Sequence, residues 1–382
     1  MTPDVHEDDR LITALPVGIR SRMVAPVNGL AMHVLEAGFE SEGRPVVMLL
    51  HCFPELAYSW RRMMPSLAAA GFHVIAPDQR GYGRTTGSDN RFDGDLRPSR
   101  PLNLVRDILG LVAALGISRV ATIVGHDFGS MVAAWCALIR PDVFGSVVLM
   151  SAPFGGPPSL MPAAPAPDIN AVLAALTPPR KHYHAYYATA DAAPNMQRGS
   201  SGLHDFLRAY YHHKSADWAG NTPYPLAAWT AAELAKLPTY YVMNLHDGMA
   251  ETVAREMPSA AAIAACAWLP DRELAVYSGE YGRTGFQGGL NWYRCRFVPE
   301  FNAELTLFAG RTIDVPSCFI AGRHDWGIRQ RPGDFERMQA SVCTQMQECH
   351  LVDGAGHWVQ QEQSGEVARL LVAFASRNLS NP

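Results

Sequence analysis

The chain has no pair of cysteines spaced as a redox or zinc motif. Its seven cysteines are odd in number, scattered between positions 52 and 349, and include no C-x-x-C. That excludes a disulfide framework and a zinc ribbon, and describes the reduced thiols of a cytoplasmic protein. Long apolar runs are missing too. The longest windows, such as 260–269, fall well short of the ~20 residues that a bilayer requires. The first ten residues, Met1 to Arg10, are acidic and contain no hydrophobic signal core. Net charge is only −4, which gives neither nucleic acid nor an anionic membrane an electrostatic reason to bind. What is present, across 382 residues, is 48% hydrophobic and 18% charged, the balance of a globular protein with a substantial core. The cytoplasm is the expected compartment, and a homo-oligomer is as compatible with this composition as a monomer.

Where apolar residues cluster, they alternate between strand and helix patterns. Residues 45–50 are a continuous apolar run, as in a parallel strand buried on both faces. A helix is expected over 59–70, a strand over 73–78, and a helix over 102–115 with its apolar residues on one face and Gly116 as its stop. A strand over 120–124, a helix over 130–139 and a strand over 146–150 follow. This rhythm implies a doubly wound, mostly parallel α/β sheet. It breaks at six prolines between Pro153 and Pro167, where neither helix nor central strand survives. From about 169 to 300 the pattern is helical, and strands return at 317–321 and 348–352 before a final helix over 366–375. The simplest division is an N-terminal extension (1–24), a first core part (25–154), an inserted helical lid (155–300) and a second core part (301–382).

Chemistry concentrates in Gly125-His126-Asp127-Phe128-Gly129, between the strand at 120–124 and its helix. Small–X–nucleophile–X–small on such a turn is a nucleophile elbow. The commoner serine is replaced here by Asp127. A carboxylate nucleophile attacks saturated carbon and leaves an ester on the enzyme, which favours opening an epoxide or displacing a halide over ester or peptide hydrolysis. Helix capping, a frequent role of aspartate, is the bland alternative. Hydrolysing the ester needs a base and a group to orient it, carried in the order nucleophile, acid, histidine on loops after late strands. Asp325 follows the strand at 317–321 and His357 the strand at 348–352, so both reach the carboxyl edge where open α/β sheets place their sites. Asp314 precedes its strand, and Asp78 reads as an organiser of its own loop. After the strand at 45–50, the backbone N–H groups of Phe53 and Phe128 are candidate oxyanion-hole donors.

Taken together, His51-x-Phe53-Pro54-Glu55, Asp78-Gln79-Arg80-Gly81-Tyr82-Gly83, the elbow, Gly285-Phe286-x-Gly288-x-Leu290-Asn291-Trp292-Tyr293-Arg294 and Gly356-His357-Trp358-x-Gln360 resemble the epoxide hydrolase branch of the α/β-hydrolase superfamily. The resemblance covers about residues 25–378. It implies two lid tyrosines that hydrogen-bond and protonate the epoxide oxygen, one at Tyr293 and the other at Tyr183, with Tyr186 and Tyr187 as neighbouring alternatives. A phenol of pKa ~10 stays protonated at neutral pH yet can donate to a nascent alkoxide. The implied substrates are a small apolar epoxide and water, with no metal or organic cofactor. Cys52 stands where such proteins usually carry glycine, so a left-handed backbone there would be strained. One rival is a haloalkane or haloacid dehalogenase; relatives of that kind usually carry Asn at position 53 with Trp at 128, or Arg at 128, and Phe occupies both positions here. The other is a non-catalytic small-ligand receptor on the same fold.

Overall fold

Side chains of the strand Val46–Leu50 alternate between two separate hydrophobic clusters: Val46, Met48 and Leu50 enter one, Val47 and Leu49 the other. Burial on both faces explains why this strand reads as unbroken apolar sequence. The computed structural model describes residues 9–161 and 167–379; the acidic Met1–Asp8 and the prolines Pro162 and Pro165 lie outside them. Among the described residues the strands are β1 (Ile19–Val27), β2 (Leu30–Ala37), β3 (Val46–Leu50), β4 (His73–Pro77), β5 (Val120–His126), β6 (Val147–Met150), β7 (Arg180–His182), β8 (Val242–Asn244), β9 (Ser317–Gly322) and β10 (Met346–Val352).

Eight of them form one sheet in the order β1-β2-β4-β3-β5-β6-β9-β10. From β4 to β10 neighbouring strands are parallel, whereas β1 and β2 run antiparallel at one edge. All six strands read from the sequence lie in this sheet. Two more precede them, and β1 starts at Ile19, inside the segment 1–24 that was read as an extension. The helix expected over 59–70 is a 3₁₀ turn, Ala57–Trp60, followed by the shorter helix Met64–Ala69. Pro65 sits in the first turn of that helix, where its missing N–H costs nothing.

Between β6 and β9 the chain forms helices from Ile169–Ala174 to Pro299–Leu305. It also contains a two-stranded antiparallel ribbon of β7 and β8, which the helical sequence pattern did not foreshadow. The insertion leaves and rejoins the sheet at the carboxyl end of β6 and before β9. It is joined to the core by buried polar contacts, such as Tyr211 Oη donating to the Pro54 carbonyl at 3.1 Å and Trp292 Nε1 to the Arg80 carbonyl at 3.1 Å.

Candidate active site

The elbow forms because β5 and the helix Phe128–Ile139 meet with almost no space between them. A Cβ on Gly125 would stand 2.0 Å from the Gly129 carbonyl oxygen, and one on Gly129 would stand 2.3 Å from that of Leu50. Only glycine fits at either position. Asp127, between them, is held at φ +48°, a conformation that a non-glycine residue adopts at a cost and that clusters at functional sites.

Asp325 and His357 follow β9 and β10 to the same edge. Their loops touch through Gly322, where a Cβ would lie 2.1 Å from the Gly356 carbonyl. His357 Nδ1 lies 3.2 and 3.3 Å from the two oxygens of Asp325, and its Nε2 lies 3.5 Å from Asp127 Oδ2. Asp325 Oδ1 also accepts the Gly327 N–H at 2.6 Å. The structure thus brings Asp127, Asp325 and His357 together. It leaves out the other two acids: Asp314 accepts hydroxyls from Thr312 and Thr344 at the opposite edge. Asp78 ties its own loop, through the Arg84 N–H, to His33 on β2 and to the Ala57 N–H after β3.

Burial opposes a charge on Asp127, but the hydrogen bond and charge of His357 and the nearby Lys214 outweigh it and bring its pKa down to about 2. For His357, burial and Lys214 favour the neutral ring while Asp325 and Asp127 favour protonation; the balance raises its pKa above the usual histidine value. Burial likewise opposes ionisation of Asp325, and His357 with the Gly327 N–H overcomes it, lowering its pKa. At neutral pH the geometry therefore presents a carboxylate beside an imidazole that is anchored from behind.

Asp127 opens into a cavity of about 540 Å³, and Tyr183 and Tyr293 line it as well. Tyr183 Oη donates to Gln330 Oε1 at 3.1 Å, and the Tyr293 ring packs edge-on against Phe128 with centroids 4.8 Å apart. Burial, with Asp127 adding to it, raises both phenols well above their ordinary pKa, so both stay protonated. The neighbouring tyrosines are committed elsewhere: Tyr186 Oη donates to Asn195 Oδ1 at 2.8 Å, and Tyr187 Oη lies 3.0 Å from Tyr210 Oη. Phe128 opens its helix and Phe53 follows β3, buried against the rings of Tyr187 and Tyr293. Cys52 is not among the non-glycine residues with positive φ, which are Asn28, Asp127 and Ser151. The strain considered for it therefore does not arise. Burial pushes its thiol pKa well up, and Sγ donates to Glu55 at 3.3 Å.

Several site residues escaped the sequence reading. Glu55 is fully buried and accepts from His126 Nδ1 (2.9 Å) and from Gln360 and Gln361. His126 Nε2 in turn lies 2.7 Å from the His357 carbonyl oxygen. Both lie inside motifs already noted for other reasons, so position next to the nucleophile was the available signal. Lys214 is buried, with Nζ 5.0–5.7 Å from the rings of Tyr210, Tyr240, Tyr241 and Trp358. Its carbonyl accepts the His357 N–H at 2.9 Å. Nothing in its sequence context distinguishes it from a basic last turn. Cys52, His126 and His357 place three possible metal-binding atoms within 4.8 Å of one another. Both His126 nitrogens and His357 Nδ1 are already engaged in the hydrogen bonds above, so the cluster is a bonded network rather than an open coordination site.

Known proteins resemble this chain along most of its length. A family model described as alpha/beta hydrolase fold matches residues 45–363. The chain is 34% identical over 367 residues to Epoxide hydrolase A of Mycobacterium tuberculosis, covering 94% of this chain and 98% of that protein. It is 32% identical to an epoxide hydrolase of Caballeronia sordidicola, covering 94% of each. Among solved structures, an epoxide hydrolase from an endophytic Streptomyces superposes with a TM-score of 0.75 at 30% identity, covering 94% of this chain and 96% of that one.

Proposed function

The chain belongs to the epoxide hydrolase branch of the α/β-hydrolase superfamily, and on that footing we propose that it converts an epoxide to a vicinal diol in two steps through an ester on Asp127. The helical insertion serves as the lid. In the first step Asp127 attacks a ring carbon, the C–O bond breaks, and the departing oxygen takes a proton from Tyr183 or Tyr293. Both phenols are buried yet protonated, which suits a donor that must act only as the alkoxide develops. In the second step His357 Nε2 removes a proton from water, and the resulting hydroxide attacks the ester carbonyl. Asp325 fixes the ring so that Nδ1 carries the hydrogen and Nε2 the lone pair. The N–H groups of Phe53 and Phe128 receive the oxyanion; as that intermediate collapses, the His357 imidazolium protonates the departing alkoxide to free the diol, and the proton left on the Asp127 carboxyl returns to the tyrosine phenolate, restoring both groups.

The observation that carries this reading is one cavity shared by a strained aspartate and two protonated phenols, with an imidazole 3.5 Å from the aspartate. A dehalogenase has no use for the phenols. The test is intact-mass measurement of His357→Gln protein mixed with styrene oxide. The ester should accumulate and add the epoxide's mass to the peptide that contains Asp127. If no adduct forms, and the parent protein makes no diol from a panel of epoxides, the mechanism is refuted.

A further inference from the structure

Two guanidinium groups in the Asp127 cavity have no role in the chemistry above. Arg296 and Arg331 both line it, and both also line an adjoining cavity of about 370 Å³ against the helix Phe128–Ile139. Among the described residues neither forms an ion pair or a side-chain hydrogen bond; Arg331 stacks over Trp229 at 5.2 Å. This is unusual in a chain whose other active-site arginine, Arg337, is tied to Asp334. Burial and the charge of Arg331 pull the pKa of Arg296 down, against a smaller opposing effect of Tyr183, Tyr293 and Asp127, so the pair repel each other.

Their positions follow from the elements that hold the tyrosines. Arg296 lies three residues after Tyr293, at the end of the helix Gln287–Cys295, and so one turn along the same face. Arg331 follows Gln330, the acceptor of the Tyr183 hydroxyl. Among the described residues that line the cavity, Asp127 is the only other charged group once Asp334 and Arg337 cancel, which gives the lining one net positive charge. Arg296 does not serve as the partner of Asp127, because His357 and Lys214 dominate that carboxylate's surroundings.

We propose that Arg296 and Arg331 bind a carboxylate on the substrate, so that the preferred epoxides are short epoxy acids with the carboxylate a few bonds from the ring. This rests on the epoxide hydrolase reading above and refines it. Three residues rise only ~4.5 Å along a helix, and Tyr293 and Arg296 line the same cavity, so a ring oxygen at one and an anion at the other belong to one short molecule. The apolar wall formed by Met131, Trp135 and Ile328 faces the intervening carbons. A monoanion matches the single excess charge, and guanidinium groups bind carboxylate in a two-pronged geometry.

The test compares kcat/KM for the terminal epoxides of butanoate and pentanoate with their primary carboxamides, above the uncatalysed background. The acids should be favoured about tenfold or more, chiefly through KM, as charge-assisted bonds warrant. In Arg296→Met and Arg331→Met the acid-to-amide ratio should fall toward one, and Arg296→Lys should recover part of it. Simple butanoate, but not butanamide, should inhibit turnover of styrene oxide competitively. If styrene oxide is hydrolysed but the parent protein shows no preference for the acids, or both methionine variants keep it, the carboxylate site is refuted while the epoxide hydrolase reading stands. If no epoxide is turned over, both are refuted.

Discussion

Replacing Asp325 with asparagine should stop the second chemical step while sparing the first, and the local hydrogen bonds set the size of the effect. The Gly327 N–H approaches Oδ1 at 2.6 Å, and both carboxylate oxygens face His357 Nδ1 at 3.2 and 3.3 Å. An asparagine in this place must turn its oxygen to Gly327, because an amide NH₂ cannot accept that bond. The NH₂ then faces Nδ1 and donates to it. That donation favours the imidazole tautomer with its hydrogen on Nε2, 3.5 Å from Asp127, where the ring cannot accept a proton from water. The corresponding change in a Ser–His–Asp triad lowers kcat ~10⁴-fold, or about 5.5 kcal/mol of barrier at 1.36 kcal/mol per decade. Ester formation needs only the Asp127 carboxylate and the tyrosine protons, so its rate should change far less. Rapid-quench mixing of Asp325→Asn protein with excess styrene oxide should give near-stoichiometric ester within the first turnover, followed by very slow diol release. The reasoning is wrong if the variant releases diol within about tenfold of the parent rate, or if diol formation is lost and no ester builds up in a protein whose thermal unfolding matches the parent.

The remaining expectations concern protonation and packing. Tyr183→Phe and Tyr293→Phe should each slow ester formation by ~10²-fold in pre-steady-state measurements, while Tyr186→Phe, whose hydroxyl is bound to Asn195, should leave that rate unchanged; equal losses in all three would contradict the assignment. His357 works as a base only when neutral, so ester hydrolysis is lost as pH falls through its pKa. Burial and Lys214 lower that pKa while Asp325 and the ionised Asp127 raise it, and esterification removes the Asp127 charge. The acid limb of single-turnover ester hydrolysis should therefore lie at lower pH than the His357 titration followed by NMR in the free protein, and a limb at equal or higher pH would refute this. Gly129→Ala puts a methyl group 2.3 Å from the Leu50 carbonyl; the overpacking should cost at least ~3 kcal/mol in urea unfolding, and near-neutral stability would show that the elbow relaxes more easily than its geometry suggests.

What the sequence could reveal here depended on how narrowly the backbone restricts each position. Asp127 was legible because the turn around it admits glycine alone at 125 and 129, Asp325 because it follows a parallel strand buried on both faces, and His357 because chain order places a histidine after the next strand, although β10 is a half-exposed edge strand without an apolar run. The antiparallel strands β1 and β2 were not legible: the edge strand β1 is largely unburied and carries Arg20, Ser21, Arg22 and Pro26, so no apolar run marks it, and in β2 the buried His33 and Glu36 interrupt the apolar pattern. Tyr183 could not be separated from Tyr186 and Tyr187, since residues three and four apart in a helix share one face and only their distant partners, Gln330, Asn195 and Tyr210, assign each hydroxyl. Lys214 gave no signal because an ammonium surrounded by aromatic rings drawn from separate elements looks, in sequence, like any basic helix end. Arg296 and Arg331 are further from view still, carried by two segments that meet only when the insertion closes over the sheet. Chemistry that depends on a strained turn is thus written locally, in glycines and strand order. Discrimination among epoxides depends on side chains brought together by packing, and for that reason exchanging Arg296 or Arg331 should redirect substrate preference without touching any motif by which the fold is recognised.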